Sequence, residues 1–405
     1  MSEFQNNYPC IFVHGFGGFG HEDLMDHYFT YWGLFSKYLF PHLNEQGTEC
    51  YNPALGAFNG TWDRTCILWA YLFGGTVDYG KVHSEKHRHA RYGPTFEHGI
   101  LEDLGKTEAH KKINLFGHSF GGPTVIMAAR LFAEGSQEER DGTDPDDLSP
   151  LFAGGHGNLI HTVTTLSGVN NGTALAELFG FLGTEIAGIS VLTLQALLGD
   201  TAATRFYDIG CHQWGIGPER NDCQFRHIRN PLPYWSRIRD FCSNKDLDHC
   251  AREMQVSVQQ DVILKDYKTD PGIYYFARRA NGSVPDGKGG YKMKIPVDPL
   301  CLAAGIPTLR WMKKGTLAKY GFGTDPLWGM TDGFVNVRGQ SAPIGTPQED
   351  ATQATAFAPG KWYNLRPIVG DHMTWMGWWV PKDRYFSMWD EMIRLNRSLP
   401  DGDAR

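Results

Sequence analysis

Long runs of like charge, low-complexity tracts and C-x-x-C pairs are all missing from this 405-residue chain. Positive charge is also scarce. The 38 Lys and Arg are outnumbered by 45 Asp and Glu, and the net charge of −7 argues against nucleic acid as a partner. Without C-x-x-C spacing, the eight cysteines do not form a zinc-finger type of site; four of them, Cys211, Cys223, Cys242 and Cys250, cluster closely enough for one or two disulfides or for buried free thiols. No uninterrupted apolar span is present. The most apolar run, 174–198, is broken by Glu177 and Glu185 and by Gly180, Gly183 and Gly188, which argues against a transmembrane segment. The opening Met1-Ser-Glu-Phe-Gln-Asn-Asn lacks the basic and apolar regions of a secretory leader, so either the protein is intracellular or a leader has been removed. Against these absences stand 41% hydrophobic and 13% aromatic residues, enough for a sizeable core in one large domain or two ordinary ones.

The stretch Lys111–Gly122 carries the strongest chemical signal. Ile113 and Leu115 alternate with Asn114 and Phe116 as a strand does, and Pro123–Glu134 reads as a helix. Between them Gly117-His118-Ser119-Phe120-Gly121 fits the G-x-S-x-G elbow, whose glycines allow the sharp turn that lifts a serine hydroxyl above a sheet edge. The Phe120 N–H would lie at a helix N-terminus, facing a developing oxyanion. Earlier in the chain, the short strand Pro9–Val13 runs into His14-Gly-Phe-Gly-Gly. This turn is placed to supply a second oxyanion donor, the Phe16 N–H.

Further on, Tyr31–Phe40 reads as a helix, a returning strand follows before residue 60, and Trp62–Phe73 reads as a helical run. Gly74–Gly80 reads as a turn. His83, His87 and His89 then fall within seven residues, with acidic Asp63 upstream. Imidazole and carboxylate together suit a divalent ion such as zinc; the competing reading is a solvated, His-rich loop.

These blocks carry a family resemblance. The chain resembles the large zinc-containing secreted lipases of the Geobacillus–Staphylococcus type, within the α/β-hydrolase superfamily. The matching stretches include His14-Gly-Phe-Gly-Gly, Asn59-Gly-Thr-Trp-Asp-Arg, Gly74-Gly-Thr-Val-Asp-Tyr-Gly, His83-x3-His87-x-His89 and Gly117-His-Ser-Phe-Gly-Gly. The likeness is strong over 8–170, thin over 175–320, and returns near the C-terminus. It implies an α/β-hydrolase fold, a central mostly parallel sheet flanked by helices, with a zinc-binding insertion over 60–98 and a helical lid within a cap of about 174–250. It also implies secretion and a structural zinc held by Asp63, His83 and His89, with His87 beside the site. The family's fourth ligand is an Asp in a Tyr-Asp-Leu stretch. The nearest equivalent is Lys245-Asp246-Leu247, which makes Asp246 the expected ligand, with Asp248 and His249 two and three places on. Calcium is not expected, because Met373–Trp379 offers few hard oxygen ligands where relatives have acidic residues.

α/β-Hydrolases deliver their triad in the order Ser, acid, His. Of 16 histidines only His372 lies beyond His249, so His372 is the expected base for Ser119. Asp332, in Thr-Asp-Gly-Phe-Val-Asn, matches the family's acid; Asp371 is the sequence neighbour that competes with it. The expected function is a lipase acting on acyl glycerols or other apolar esters through an acyl-enzyme. A carboxylesterase or polyester hydrolase with a reduced lid, and a silent lipid-binding relative, are the alternatives.

Overall fold

The computed structural model describes residues 4–34, 38–177, 207, 210–214, 248–294, 297–310, 317–352 and 356–402. Among these residues seven strands form the main sheet. In chain order the first five are β1 (Cys10–Val13), β2 (Cys50–Tyr51), β5 (Ile113–His118), β6 (Ile160–Leu166) and β7 (Tyr274–Arg278); Gln348–Asp350 and Trp362–Asn364 complete it. Two more strands, β3 (Gly75–Asp78) and β4 (Tyr92–Phe96), pair antiparallel in a separate ribbon. Across the main sheet β5 sits between β1 and β6, and every neighbouring pair is parallel.

All six residues of β5 are buried, as a strand with both faces covered requires. Its Asn114 side chain finds partners at the Tyr8 carbonyl, 3.1 Å, and the Thr162 hydroxyl, 2.9 Å. Alternation sorts the sheet's side chains into two cores. Ile11, Val13, Ile113, Leu115 and Val163 pack with the Thr61–Phe73 and Gly121–Glu134 helices on one face. Cys10, Phe12, Phe116 and Leu166 face the Leu39–Glu45 and Lys382–Ser398 helices on the other. There the Phe12 ring lies 5.2 Å from Phe116, 5.3 Å from Trp32 and 5.2 Å from Trp389.

Two local expectations change. Tyr31–Phe40 is not one helix. Gly33 turns the backbone at φ 99°, Tyr31 and Trp32 face inward, and the helix begins only at Leu39. Gly74–Gly80 is not simply a turn. Asp78 accepts two hydrogen bonds from Arg91, 3.0 and 2.9 Å, and this pins β3 to β4. Six cysteines, Cys10, Cys50, Cys66, Cys211, Cys250 and Cys301, are free thiols; Cys223 and Cys242 lie outside the described residues.

Of the apolar run 174–198, residues beyond Glu177 also lie outside them. Its root is tied down: Ala174 N–H donates to Asn336 Oδ1, and Ser257 donates to Glu177 through both its N–H and its hydroxyl. Among the described residues no helix is long and apolar enough to cross a membrane.

Candidate active site and metal centre

Register brings the carboxyl ends of the central strands level. Val13 stands beside Gly117, His118 beside Leu166, and Leu166 beside Arg278. Loops that leave these ends therefore converge, as in open parallel sheets generally. Ser119 follows β5 at once, with a left-handed φ of 55° that few residues with a side chain adopt. Its N–H donates to the Leu166 carbonyl at 3.0 Å, and its own carbonyl accepts from Gly122 and Val169.

Both elbow glycines are forced by close approach. A Cβ on Gly117 would sit 2.2 Å from the Gly121 carbonyl oxygen, and one on Gly121 would sit 2.3 Å from that of Val13. Phe120 caps the Gly121–Glu134 helix. Phe16 lies in the loop after β1, 42% exposed, with its ring edge-on to Phe58 at 5.0 Å.

That loop is braced from beneath. The fully buried Arg64 donates from Nη2 to the His14 carbonyl, and its guanidinium lies 5.5 Å from the Phe120 ring. Burial draws the Arg64 pKa down to about 10. The His14 imidazole accepts from Leu55 N–H at Nε2, 3.1 Å, so Nδ1 carries the proton and donates to the Gly15 carbonyl, 2.9 Å. Burial, with Arg64 adding to it, holds His14 well below the usual histidine range and so neutral.

His372 opens a short 3₁₀ turn, His372–Met376. Its Nδ1 lies 2.8 Å from Asp332 Oδ2, and its backbone N–H donates to the Asp332 carbonyl at 3.0 Å. Asp332 is fully buried. Its other oxygen accepts from the N–H groups of Phe334, 3.0 Å, and Val335, 2.8 Å, which fix the carboxylate's orientation. Asp371 is engaged elsewhere: Oδ1 accepts from Met373 N–H and the Thr374 hydroxyl, and Oδ2 from Asp298 N–H. The ring of His118, beside Ser119, lies 4.8 Å from that of His372. Trp375, which sequence reasoning left unused, anchors the His372 turn by donating from Nε1 to Ser167 Oγ, 2.9 Å, where β6 ends.

A second cluster forms where the Thr61–Phe73 helix meets the Lys81–His87 helix. Asp63, His83, His89 and Asp248 each offer one ligand atom, all within 4.8 Å of one another. His83 Nε2 is 2.9 Å from Asp248 Oδ2 and 3.4 Å from Asp63 Oδ1; His89 Nε2 is 3.8 Å from Asp63 Oδ1. A tetrahedral ion with bonds near 2.0–2.1 Å sets its ligand atoms roughly 3.3 Å apart, which these separations bracket. The atoms are buried and complete no hydrogen bond of sound geometry among the described residues. The donor set therefore fits a metal ion.

Outer contacts aim the ligands. His89 Nδ1 donates to the Ala90 carbonyl at 2.8 Å, which turns Nε2 inward as a lone pair; Gln213 Nε2 donates to Asp63 Oδ2 at 2.6 Å and leaves Oδ1 for the ion. Trp62 stacks on His83 at 4.7 Å, and Trp214 stands edge-on to His89 at 4.6 Å. Glu139 caps the histidine helix by accepting from Val82 and His83 N–H groups. His87 stays at the margin, 4.0 Å from Asp248.

Among the described residues the fourth member is Asp248; the expected ligand Asp246 lies outside the described residues. An antiparallel bridge between Asn59 and His249 sets Asp248 against the start of the Thr61–Phe73 helix, a long-range pairing that local sequence does not reveal. Carboxylates at 246 and 248 also look alike in sequence. Without the ion, burial opposes both charges, yet the facing carboxylates still raise the His83 pKa and the imidazolium lowers that of Asp248.

Residues 6–243 match the family described as lipase-like, C-terminal domain. The chain belongs to that family. Similar proteins within reach of this lipase-like chain include lipase 2 of Staphylococcus aureus, 34% identical over 226 residues, which are 55% of this chain and 32% of that protein. The chain thus spans about a third of the length of the curated relatives it matches. Among solved structures, EstA from Clostridium botulinum superposes with a TM-score of 0.77 at 30% identity, covering 98% of this chain and 89% of that one. The Staphylococcus hyicus lipase, with a TM-score of 0.79 at 23% identity over 98% of each chain, shares the fold. The expected α/β-hydrolase architecture is present in its parallel sheet and flanking helices.

Proposed function

We propose that this chain is a serine carboxylic-ester hydrolase, a lipase acting on apolar esters through an acyl-enzyme. The observation that carries the reading is the 2.8 Å contact between His372 Nδ1 and the buried Asp332, in a structure that also holds Ser119 at the positive φ of an elbow. An ionised carboxylate only accepts, so it selects the Nδ1–H tautomer and leaves Nε2 of His372 as the lone pair. That lone pair takes the Ser119 proton as Oγ attacks the ester carbonyl. Asp332 stabilises the resulting imidazolium, and the backbone N–H groups of Phe16 and Phe120 receive the oxyanion. His372 returns the proton to the leaving alcohol; water then repeats the sequence on the acyl-enzyme and frees the acid.

The metal cluster belongs to the same proposal, with zinc as the ion and Asp63, His83, His89 and Asp248 as ligands. Four protein ligands close the coordination, so the ion's contribution is to hold the 60–98 insertion to the Asp248 segment. Residues 1–405 are read as one α/β-hydrolase domain, with 60–98 as its metal-binding insertion and about 174–250 as its cap. A lipid–water interface as partner agrees with the name lipase that the relatives carry, and secretion is what the resemblance of the sequence blocks implies. A hydrolysis profile over p-nitrophenyl esters and emulsified triglyceride, with Ser119→Ala as control, tests the reading. Equal turnover by wild type and Ser119→Ala would end it.

A further inference from the structure

We propose that His118 and Tyr31 are positioning residues, forming one directed hydrogen-bond chain that locks the oxyanion loop to the backbone of the base. The proposal rests on the ester-hydrolase reading above. The chain has three links, and the chemistry of its ends fixes their direction. At one end His118 Nε2 lies 3.0 Å from the carbonyl oxygen of His372, which can only accept, so Nε2 carries a proton. His118 is fully buried, and burial holds its pKa well below the ordinary value, with His372 adding to the effect; the ring is neutral. Its Nδ1 is then bare and accepts from the Tyr31 hydroxyl at 2.7 Å. The Tyr31 oxygen in turn accepts from the Gly15 N–H at 2.9 Å, one residue before Phe16. From loop to base the sequence runs Gly15 N–H to Tyr31 O–H to His118, and His118 Nε2–H to the His372 carbonyl.

Packing leaves this chain little slack. A Cβ on Gly15 would fall 2.7 Å from Ser119 Cβ, 3.1 Å from the Tyr31 hydroxyl and 3.2 Å from the His118 carbonyl. The loop therefore lies directly on the elbow and on the chain's middle link. Trp32 closes the other side, with its ring 6.2 Å from that of His118 and 5.1 Å from Tyr31. A histidine before the nucleophile that merely filled space would need neither a hydroxyl at one nitrogen nor the base's carbonyl at the other. Here both nitrogens are used, one through Tyr31 to the loop that carries Phe16 and the other to the backbone of His372.

The test separates the two limbs. Gln at position 118 can present an N–H near the place of Nε2, whereas Asn ends near the place of Nδ1. His118→Asn and Tyr31→Phe are expected to lower kcat on the order of 10- to 100-fold with KM little changed, since misplacement costs reaction geometry more than substrate binding. His118→Gln is expected to recover at least several-fold over His118→Asn by restoring the donor to the His372 carbonyl. Nitrogen NMR of the wild-type His118 ring is expected to show Nε2 protonated and Nδ1 bare throughout about pH 5–8, with the Nδ1 signal moved in Tyr31→Phe. That spectrum does not depend on turnover, so an inactive wild type would sink the ester-hydrolase reading while the chain was still judged. An Nδ1–H tautomer, an unmoved Nδ1 signal in Tyr31→Phe, or kcat within twofold of wild type in folded Tyr31→Phe and His118→Asn would overturn the proposal.

Discussion

Asp332 faces the His372 imidazole and Asp371 adjoins it in sequence, and their hydrogen bonds divide their roles. Asp332 spends one oxygen on the imidazole and the other on two backbone N–H groups, whereas Asp371 caps the 3₁₀ turn and holds Asp298. Asp332→Asn is expected to lower kcat by about 10³- to 10⁴-fold through the wrong tautomer and lost imidazolium stabilisation. Asp371→Asn should act on thermal stability, with kcat kept within about tenfold; steady-state kinetics beside thermal melts would show the opposite ranking if Asp371 were the acid. A second residue-scale effect comes from His161. Burial, helped by Lys112, draws its pKa down to about 4, against about 6.5 in an unfolded chain. Between those values the unfolded chain binds a proton that the folded one refuses. Stability is therefore undiminished above about pH 6.5 and falls as pH drops toward 4, by up to about 3 kcal/mol from this group. Urea unfolding as a function of pH should show a shallower acid limb, by about one proton, in His161→Gln.

Among the elements, the metal cluster shows what a sequence discloses and what it withholds. Asp63 lies in the first turn of a helix, and His83 and His89 on and just after the next, so their short spacing is readable in the chain. Asp248 arrives through the bridge of its neighbour His249 to Asn59, a long-range pairing that the local sequence does not announce. Gln213, which orients Asp63, carries no sequence signal at all. Asp248→Asn is expected to lose bound metal and Asp246→Asn to keep it; elemental analysis of chelator-free preparations decides, and the reverse result would return the site to Asp246. Chelation should lower the melting temperature more than the initial rate at moderate temperature, as a structural ion requires. The Tyr31–Phe40 misreading has a similar cause. Its apolar spacing suits a helix, but Tyr31 is turned toward Gly15 and His118, and Gly33 breaks the run. Trp389 shows the packing beneath the sheet: fully buried against Phe12, Trp32 and Phe116, it should cost about 3–5 kcal/mol on replacement by Ala, measured by denaturant unfolding.

At the scale of the whole molecule, one sheet gathers residues from distant parts of the chain to its carboxyl edge. The loop after β1 brings Phe16, the turn after β5 brings Ser119, and the Asp332–His372 pair is held there partly by Trp375 on Ser167. The elbow was legible because strand, glycines and helix are contiguous; the sheet order was not, because parallel neighbours are joined through long crossovers. The same edge receives Arg64, the residue next to Asp63, so the helix that carries Asp63 also supports the His14 loop through the His14 carbonyl. The most direct measurement is reaction of the intact protein with a p-nitrophenyl alkylphosphonate, followed by mass spectrometry. One equivalent of p-nitrophenol should be released per chain, with a single adduct on Ser119, none in Ser119→Ala, and slow labelling in Asp332→Asn. An adduct on another residue, or equal labelling of Ser119→Ala, would contradict the assignment of Ser119 as the nucleophile.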